Sequence, residues 1–126
     1  MELMPTNKVI AQLGRGTTHV TELNIPFLVK RFFYITDVPQ DAIRGQHANK
    51  KTNQYIICTS GQVEIMMTIK NVYRHRMTII LSPGESVFLP KRTWVEMQFL
   101  QKDSTLLVLA DRAYDKNEYI TDFNEL

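Results

Sequence analysis

The stretch RGQHANKKTNQ, Arg44 to Gln54, gathers the side chains of this chain best suited to proton transfer and anion binding. Its histidine, His47, carries an imidazole, the group that ordinarily changes charge near neutral pH and so suits a general base. Asn49 follows two residues later. Residues two apart on a strand share a face, so His47 and Asn49 are expected to point together while Ala48 points away. Arg44 presents paired N–H donors that match phosphate oxygens. Arg15 and Arg31 are further candidates for anion contact. Lys50 is another, set against the alternative that Lys50 and Lys51 form a solvated strand edge. Tyr34 could donate a proton or a hydrogen bond, or pack as core. A transition metal needs imidazole and carboxylate ligands converging on one point. One histidine with Asn49 and Gln54 does not supply them, so no metal and no cofactor are expected.

These groups need a rigid frame, and the sequence is strand-like almost throughout. In QVEIMMTI, Val63, Ile65, Met67 and Ile69 fall on one face, with Glu64 and Thr68 on the other. In WVEMQFL, Val95, Met97 and Phe99 alternate with Trp94, Glu96 and Gln98. STLLVLA, Ser104 to Ala110, is apolar on both faces and reads as a central strand. FLVKRFFYITDV is a further β-rich run. Ser60-Gly61 and Lys70-Asn71 lie between strands and predict hairpins. Ser82-Pro83-Gly84-Glu85 predicts a turn. The best helical candidate is a short piece within AYDKNEYITDF. Eight to ten short strands predict an all-β sandwich or barrel, with a jelly roll as the leading architecture.

The chain has 126 residues, 44% of them hydrophobic, enough for one domain over residues 1–126 with its own core. No apolar run is long enough to span a bilayer, and MELMPTNK lacks the apolar centre of a signal peptide. The lone Cys58 sits in an apolar run and reads as a buried small hydrophobe. A cytoplasmic protein without a membrane partner is expected. The net charge of +2 comes from scattered basic residues. It argues against nucleic acid and for a small anionic ligand. His19 and His75 are expected to be structural or exposed, Trp94 to pack, and Tyr114 and Tyr119 to anchor the C-terminal segment.

The order of motifs resembles the nucleotide-sugar 3,4-ketoisomerases, the WxcM-like cupins that act on dTDP-4-keto-6-deoxyglucose. The resemblance rests on VKRFFYITD (29–37), RGQHANKK (44–51), QYIICTSG (54–61), WVEM (94–97) and LADRAYDKNEYI (109–120), with Arg15-Gly16 ahead of them. It implies a metal-free cupin-type jelly-roll barrel, a homodimer with exchanged N-terminal strands, and a dTDP-sugar in the barrel mouth. The implied reaction moves a carbonyl from C4 to C3 through an enediol. The chain departs from the pattern where Asn49 replaces the second histidine of the pair and Val95 the histidine of W-H-E-M. An amide does not accept a proton at neutral pH. Two readings follow. In one, His47 performs the chemistry, with Tyr34 as its possible partner. In the other, the protein binds a nucleotide sugar without isomerising it, or acts on it by a different proton route.

Overall fold

The computed structural model describes residues 6–69 and 75–126. An N-terminal hairpin comes first: β1 (Thr6–Gln12) pairs antiparallel with β2 (Gly16–Glu22). Gly14 and Gly16, with φ of 71° and 90°, turn the chain between them. Neither strand pairs with any other described strand.

Two larger antiparallel sheets follow. The first is ordered β3 (Arg31–Ile35), β10 (Thr105–Ala110), β5 (Gln54–Ser60), β8 (Ser86–Leu89). The second is ordered β11 (Tyr119–Ile120), β4 (Ile43–Asn49), β9 (Thr93–Phe99), β6 (Val63–Ile69), β7 (His75–Leu81). The core lies between them. Ile56, Cys58, Leu106 and Val108 come from the first sheet, and Val63, Ile65, Leu81, Val95 and Phe99 from the second. Each large apolar side chain buried there contributes about 1.5–3 kcal/mol. The period-two patterns account for this: Val63, Ile65 and Met67 are buried on β6, and Thr93, Val95, Met97 and Phe99 on β9. STLLVLA forms β10, a central strand with neighbours on both sides, as expected.

Two expectations change. FLVKRFFYITDV becomes a strand only from Arg31, where pairing with Ala110 begins. Ser60-Gly61 is not a hairpin. It carries the chain from β5 in the first sheet to β6 in the second. Gly61 has φ 72°, and a Cβ there would stand 2.1 Å from Ser104 Oγ, so the corner is set by a close approach that a hairpin reading does not contain. The short helical piece expected within AYDKNEYITDF is present as the single-turn 3-10 helix Lys116–Glu118, and a second, Phe123–Glu125, follows β11. Lys70-Asn71 lies outside the described residues; β6 and β7 on either side pair antiparallel. The expected turn at residues 82–85 is present, with Glu85 N–H donating to Ser82 O at 2.9 Å. No helix among the described residues is long and apolar enough to cross a membrane.

Cys58 is fully buried, as read from its apolar run. Burial pushes its thiol up to about 11; a backbone hydrogen bond at Ser60 acts the other way, and Glu85 adds a smaller push upward. Above the ordinary value of 9.0 the unfolded chain loses this proton, while the folded chain keeps it to about 11. The stability held by the neutral thiol is therefore complete below pH 9 and is lost as pH rises through that window. Urea midpoints between pH 8 and pH 11 should fall more steeply for the natural protein than for Cys58→Ala. Parallel curves for the two would contradict this.

Candidate active site

The site is built where β4 departs from regular pairing. Gly45 faces Glu96 and His47 faces Val95, so Gln46 is an extra residue in β4, a bulge against β9. Gly45 and Gln46 take positive φ of 88° and 57°. A Cβ on residue 45 would meet Val95 O at 2.9 Å, so glycine lets the two strands close here. The extra residue shifts the alternation by one, which is how bulges re-aim side chains. Arg44 and His47, on opposite faces of a regular strand, both come to line one cavity.

That cavity, about 140 Å³, lies between the two sheets. Phe33, Ile35, Ile56, Leu89, Val95, Met97 and Val108 give it an apolar wall, and Arg44, His47, Gln54 and Tyr119 are its polar members. Gln54 is buried, and its amide brings a neutral hydrogen-bonding group to the wall. The rings of His47 and Tyr119 meet edge to face, with centroids 4.9 Å apart and planes at 79°.

Tyr119 is held there by the residue before it. Glu118 is buried, and its carboxylate accepts from Lys51 N–H at 2.8 Å and from both the N–H and the hydroxyl of Thr52. Lys50 N–H donates to Glu118 O at 3.0 Å, and Lys50 Nζ to Asn117 O at 3.2 Å. The Asp115 side chain caps the preceding turn by accepting from Asn117 N–H at 2.9 Å. Asp111 fixes the same loop by accepting from Asn53 N–H at 2.9 Å and Nδ2 at 2.8 Å. The loop from β4 to β5 is thus tied to the C-terminal segment, and Tyr119 pairs with Asn49 on β4.

Of the residues expected from the sequence, the structure brings Arg44 and His47 to the cavity wall. Asn49 is buried, paired with Tyr119 of β11, and is not in that wall; its carbonyl accepts from Arg92 N–H at 2.7 Å. The expectation that Tyr34 reaches the pocket is corrected. Phe33 and Ile35 line the cavity, so Tyr34 between them points to the opposite face of the sheet, where it is 68% exposed. Arg15 sits in the turn of the N-terminal hairpin, its N–H donating to Gln12 O at 3.0 Å. Arg31 lies beside the wall, its guanidinium 5.6 Å from the ring centroids of both Phe33 and Tyr114, with a buried Nε that has no partner. Lys50 is exposed and serves the C-terminal tether. Trp94 packs on Phe123 at 5.4 Å, on the outer face of the second sheet. Among the described residues no three His, Cys, Asp or Glu side chains gather as a metal site.

The sequence model of the family described as FdtA: WxcM-like, C-terminal, matches residues 3–126. The chain belongs to this WxcM-like family. It is similar to the TDP-4-oxo-6-deoxy-alpha-D-glucose-3,4-oxoisomerase of Aneurinibacillus thermoaerophilus, at 30% identity over 93% of this chain and 83% of that one. A 3,4-ketoisomerase from Helicobacter canadensis superposes with a TM-score of 0.79 at 36% identity, over 98% of this chain and 90% of the other. A histidine-to-asparagine variant of the Thermoanaerobacterium thermosaccharolyticum 3,4-ketoisomerase, solved with TDP-4-keto-6-deoxyglucose, gives 0.79 at 32%, over 98% and 88%. The all-β, antiparallel architecture is accordingly cupin-like. Within this WxcM-like chain, the position where the resemblance puts a further histidine holds Val95, opposite His47 and 1% exposed, so that wall is dry and apolar.

Sequence reasoning gave Gln54 only as a failed metal ligand and Tyr119 only as an anchor. Nothing local marks either as a cavity residue. Their roles depend on contacts between distant parts of the chain.

The Glu118 carboxylate is the strongest tie in this arrangement. Glu118→Ala removes the acceptor of three donors, two of them on buried Thr52. Stability should fall by about 2–4 kcal/mol, each stranded donor costing about 1–3 kcal/mol before water relieves part of it. Chemical denaturation showing less than about 0.5 kcal/mol would mean that the tie is dispensable.

Proposed function

We propose that this protein is a sugar 3,4-ketoisomerase. It converts a TDP-linked 4-keto-6-deoxyhexose to its 3-keto isomer, in the making of surface-polysaccharide sugars. The observation that carries the reading is the placement of His47, a half-buried imidazole in the wall of a largely apolar cavity that Arg44 also lines. The similar 3,4-ketoisomerases support it. His47 takes the proton from C3 of the sugar, and the electrons of that bond form the C3–C4 double bond as the C4 carbonyl oxygen gains charge. The Gln54 amide is placed in the same wall to donate to that oxygen. The imidazolium then returns a proton at C4 as the C3 hydroxyl proton is lost, O4 gains one and the C3 carbonyl forms. The apolar wall excludes water, which protects the enediol and strengthens these polar contacts.

The cavity, at about 140 Å³, is smaller than the roughly 300–1,000 Å³ of a typical ligand pocket. It therefore receives the sugar, and the nucleotide lies outside, with Arg44 as its diphosphate contact and Arg31 nearby. No metal or other cofactor enters the proposed chemistry, and no nucleic acid or membrane is a partner. Residues 1–126 act as one cupin-like domain. A cytoplasmic setting is part of the same reading and suits a single, reduced Cys58.

A jelly-roll barrel and a homodimer with exchanged N-terminal strands belong to the proposal too. The β1–β2 hairpin pairs with neither sheet, and Val9, Ile10 and Leu13 expose 66%, 47% and 104% of their surface. Phe32 and Tyr34 are exposed on the outer face of the first sheet. A second copy covers such surfaces and closes strand edges. Light scattering at micromolar concentration should give twice the chain mass; a monomer there removes the exchange.

A second reading, binding without isomerisation, is favoured by Asn49 and Val95 at the family's histidine positions. The test is incubation with TDP-4-keto-6-deoxyglucose in heavy water, followed by NMR. The natural protein should exchange C3 hydrogen and form the 3-keto sugar. His47→Asn should abolish exchange while TDP affinity stays within about twofold. Arg44→Ala should weaken TDP binding by about 1.5–3 kcal/mol, the value of a charged hydrogen bond. TDP binding with no exchange by the natural protein would establish the second reading.

A further inference from the structure

We propose that Tyr119 is the second catalytic group of this site, and that it moves the proton between the two sugar oxygens while His47 moves the proton between the two carbons. The inference deepens the isomerase reading and rests on it. Isomerisation needs two proton transfers of different kinds. One goes from C3 to C4. The other must leave a proton on O4 and remove one from O3. One imidazole cannot hold both protons at once, and Asn49 cannot take either.

The cavity offers one other side chain that can both donate and accept a proton, the Tyr119 phenol. Its ring lies against the His47 ring at 4.9 Å, so a sugar within reach of one is within reach of the other. Among the described residues its hydroxyl has no hydrogen-bond partner, and neither does the His47 ring, which leaves both free for substrate. The fold holds the phenol in place from behind. Glu118 pins the preceding residue through three hydrogen bonds, and Tyr119 itself pairs with Asn49. Tyr34 cannot take this part, because it faces away from the cavity.

The steps balance. His47 takes the C3 proton, and the C3–H electrons form the C3–C4 double bond. The C4 carbonyl opens, and O4 receives the proton of the Tyr119 hydroxyl. The enediol stands between an imidazolium and a phenolate. The phenolate then takes the proton of the C3 hydroxyl and the C3 carbonyl forms. The double-bond electrons take the proton from the imidazolium at C4. Both side chains end as they began, and nothing is oxidised or reduced overall.

Tyr119→Phe keeps the ring that packs on His47 and removes only the hydroxyl. With TDP-4-keto-6-deoxyglucose, kcat should fall at least about 100-fold, the lower end of what a general acid–base group contributes. KM and the affinity for TDP should stay within about threefold, and the thermal midpoint should be unchanged. Full turnover in Tyr119→Phe beside slow turnover in Tyr119→Ala would reduce Tyr119 to a packing surface and overturn the inference while leaving the isomerase reading intact. If Tyr119→Phe does not fold, 3-fluorotyrosine at position 119 replaces it. The more acidic phenol should move the alkaline limb of the rate profile to lower pH, and an unmoved limb overturns the inference. A natural protein that binds TDP but neither isomerises nor exchanges ends the isomerase reading, and this inference with it.

Discussion

The buried carboxylate of Glu118 is the interaction on which the site depends. A carboxylate taken from water is costly unless donors meet it, and here three do, all from Lys51 and Thr52. Those donors belong to the loop that follows β4, while Glu118 belongs to the segment that follows β10. One side chain thus joins two parts of the chain 66 residues apart. The cost of leaving any of these groups unpaired makes the junction close to all-or-none. Because β11 begins at the next residue, the same junction fixes the Tyr119 ring against His47.

The second constraint is backbone room. At Gly45 the β4 chain comes so close to Val95 O that no side chain fits, and the next residue is left out of the ladder. The bulge changes which side chains share the cavity, since it puts Arg44 and His47 in one wall. Gly61 does similar work at the corner between the sheets, where the chain passes over Ser104. Ser104, fully buried, in turn donates to Gln101 O at 2.7 Å and accepts from Gln62 N–H at 3.1 Å. Gly61 thus sets the path of the chain between the sheets, and Gly45 shapes the cavity wall.

The walls of that space explain how so few polar groups can suffice. Val95, Met97, Ile56 and Leu89 make this side of the cavity apolar, so the polar groups against it act in a lower dielectric than bulk water. The replacement of a histidine by Val95 removes a titrating group but makes the surroundings of His47 drier. The unpaired hairpin and the exposed Phe32 and Tyr34 are a separate matter. They lie on the outside of the first sheet, away from the cavity.

The sequence by itself determined the strand character, the inward faces of β6 and β9, the central place of β10 and the family. These follow from patterns whose period is local, two residues for a strand, or from motifs in a fixed order. It also named His47 and Arg44, because imidazole and guanidinium have chemistry of their own wherever they stand. Tertiary structure alone decided the rest. Alternation sent His47 and Asn49 to one pocket, but the cavity ends at His47, and Asn49, paired with Tyr119 of β11, is left out of its wall. Ser60-Gly61 reads as a hairpin until the pairing of β5 with β10 and of β6 with β9 shows two sheets. Tyr34 and Tyr119 are equal as letters. Only the pairing of β3 with β10 turns one outward, and only the tie from Glu118 to Thr52 turns the other in. The physical reason is the same in each case: the deciding contact joins residues far apart in the chain, and no local period or propensity records it.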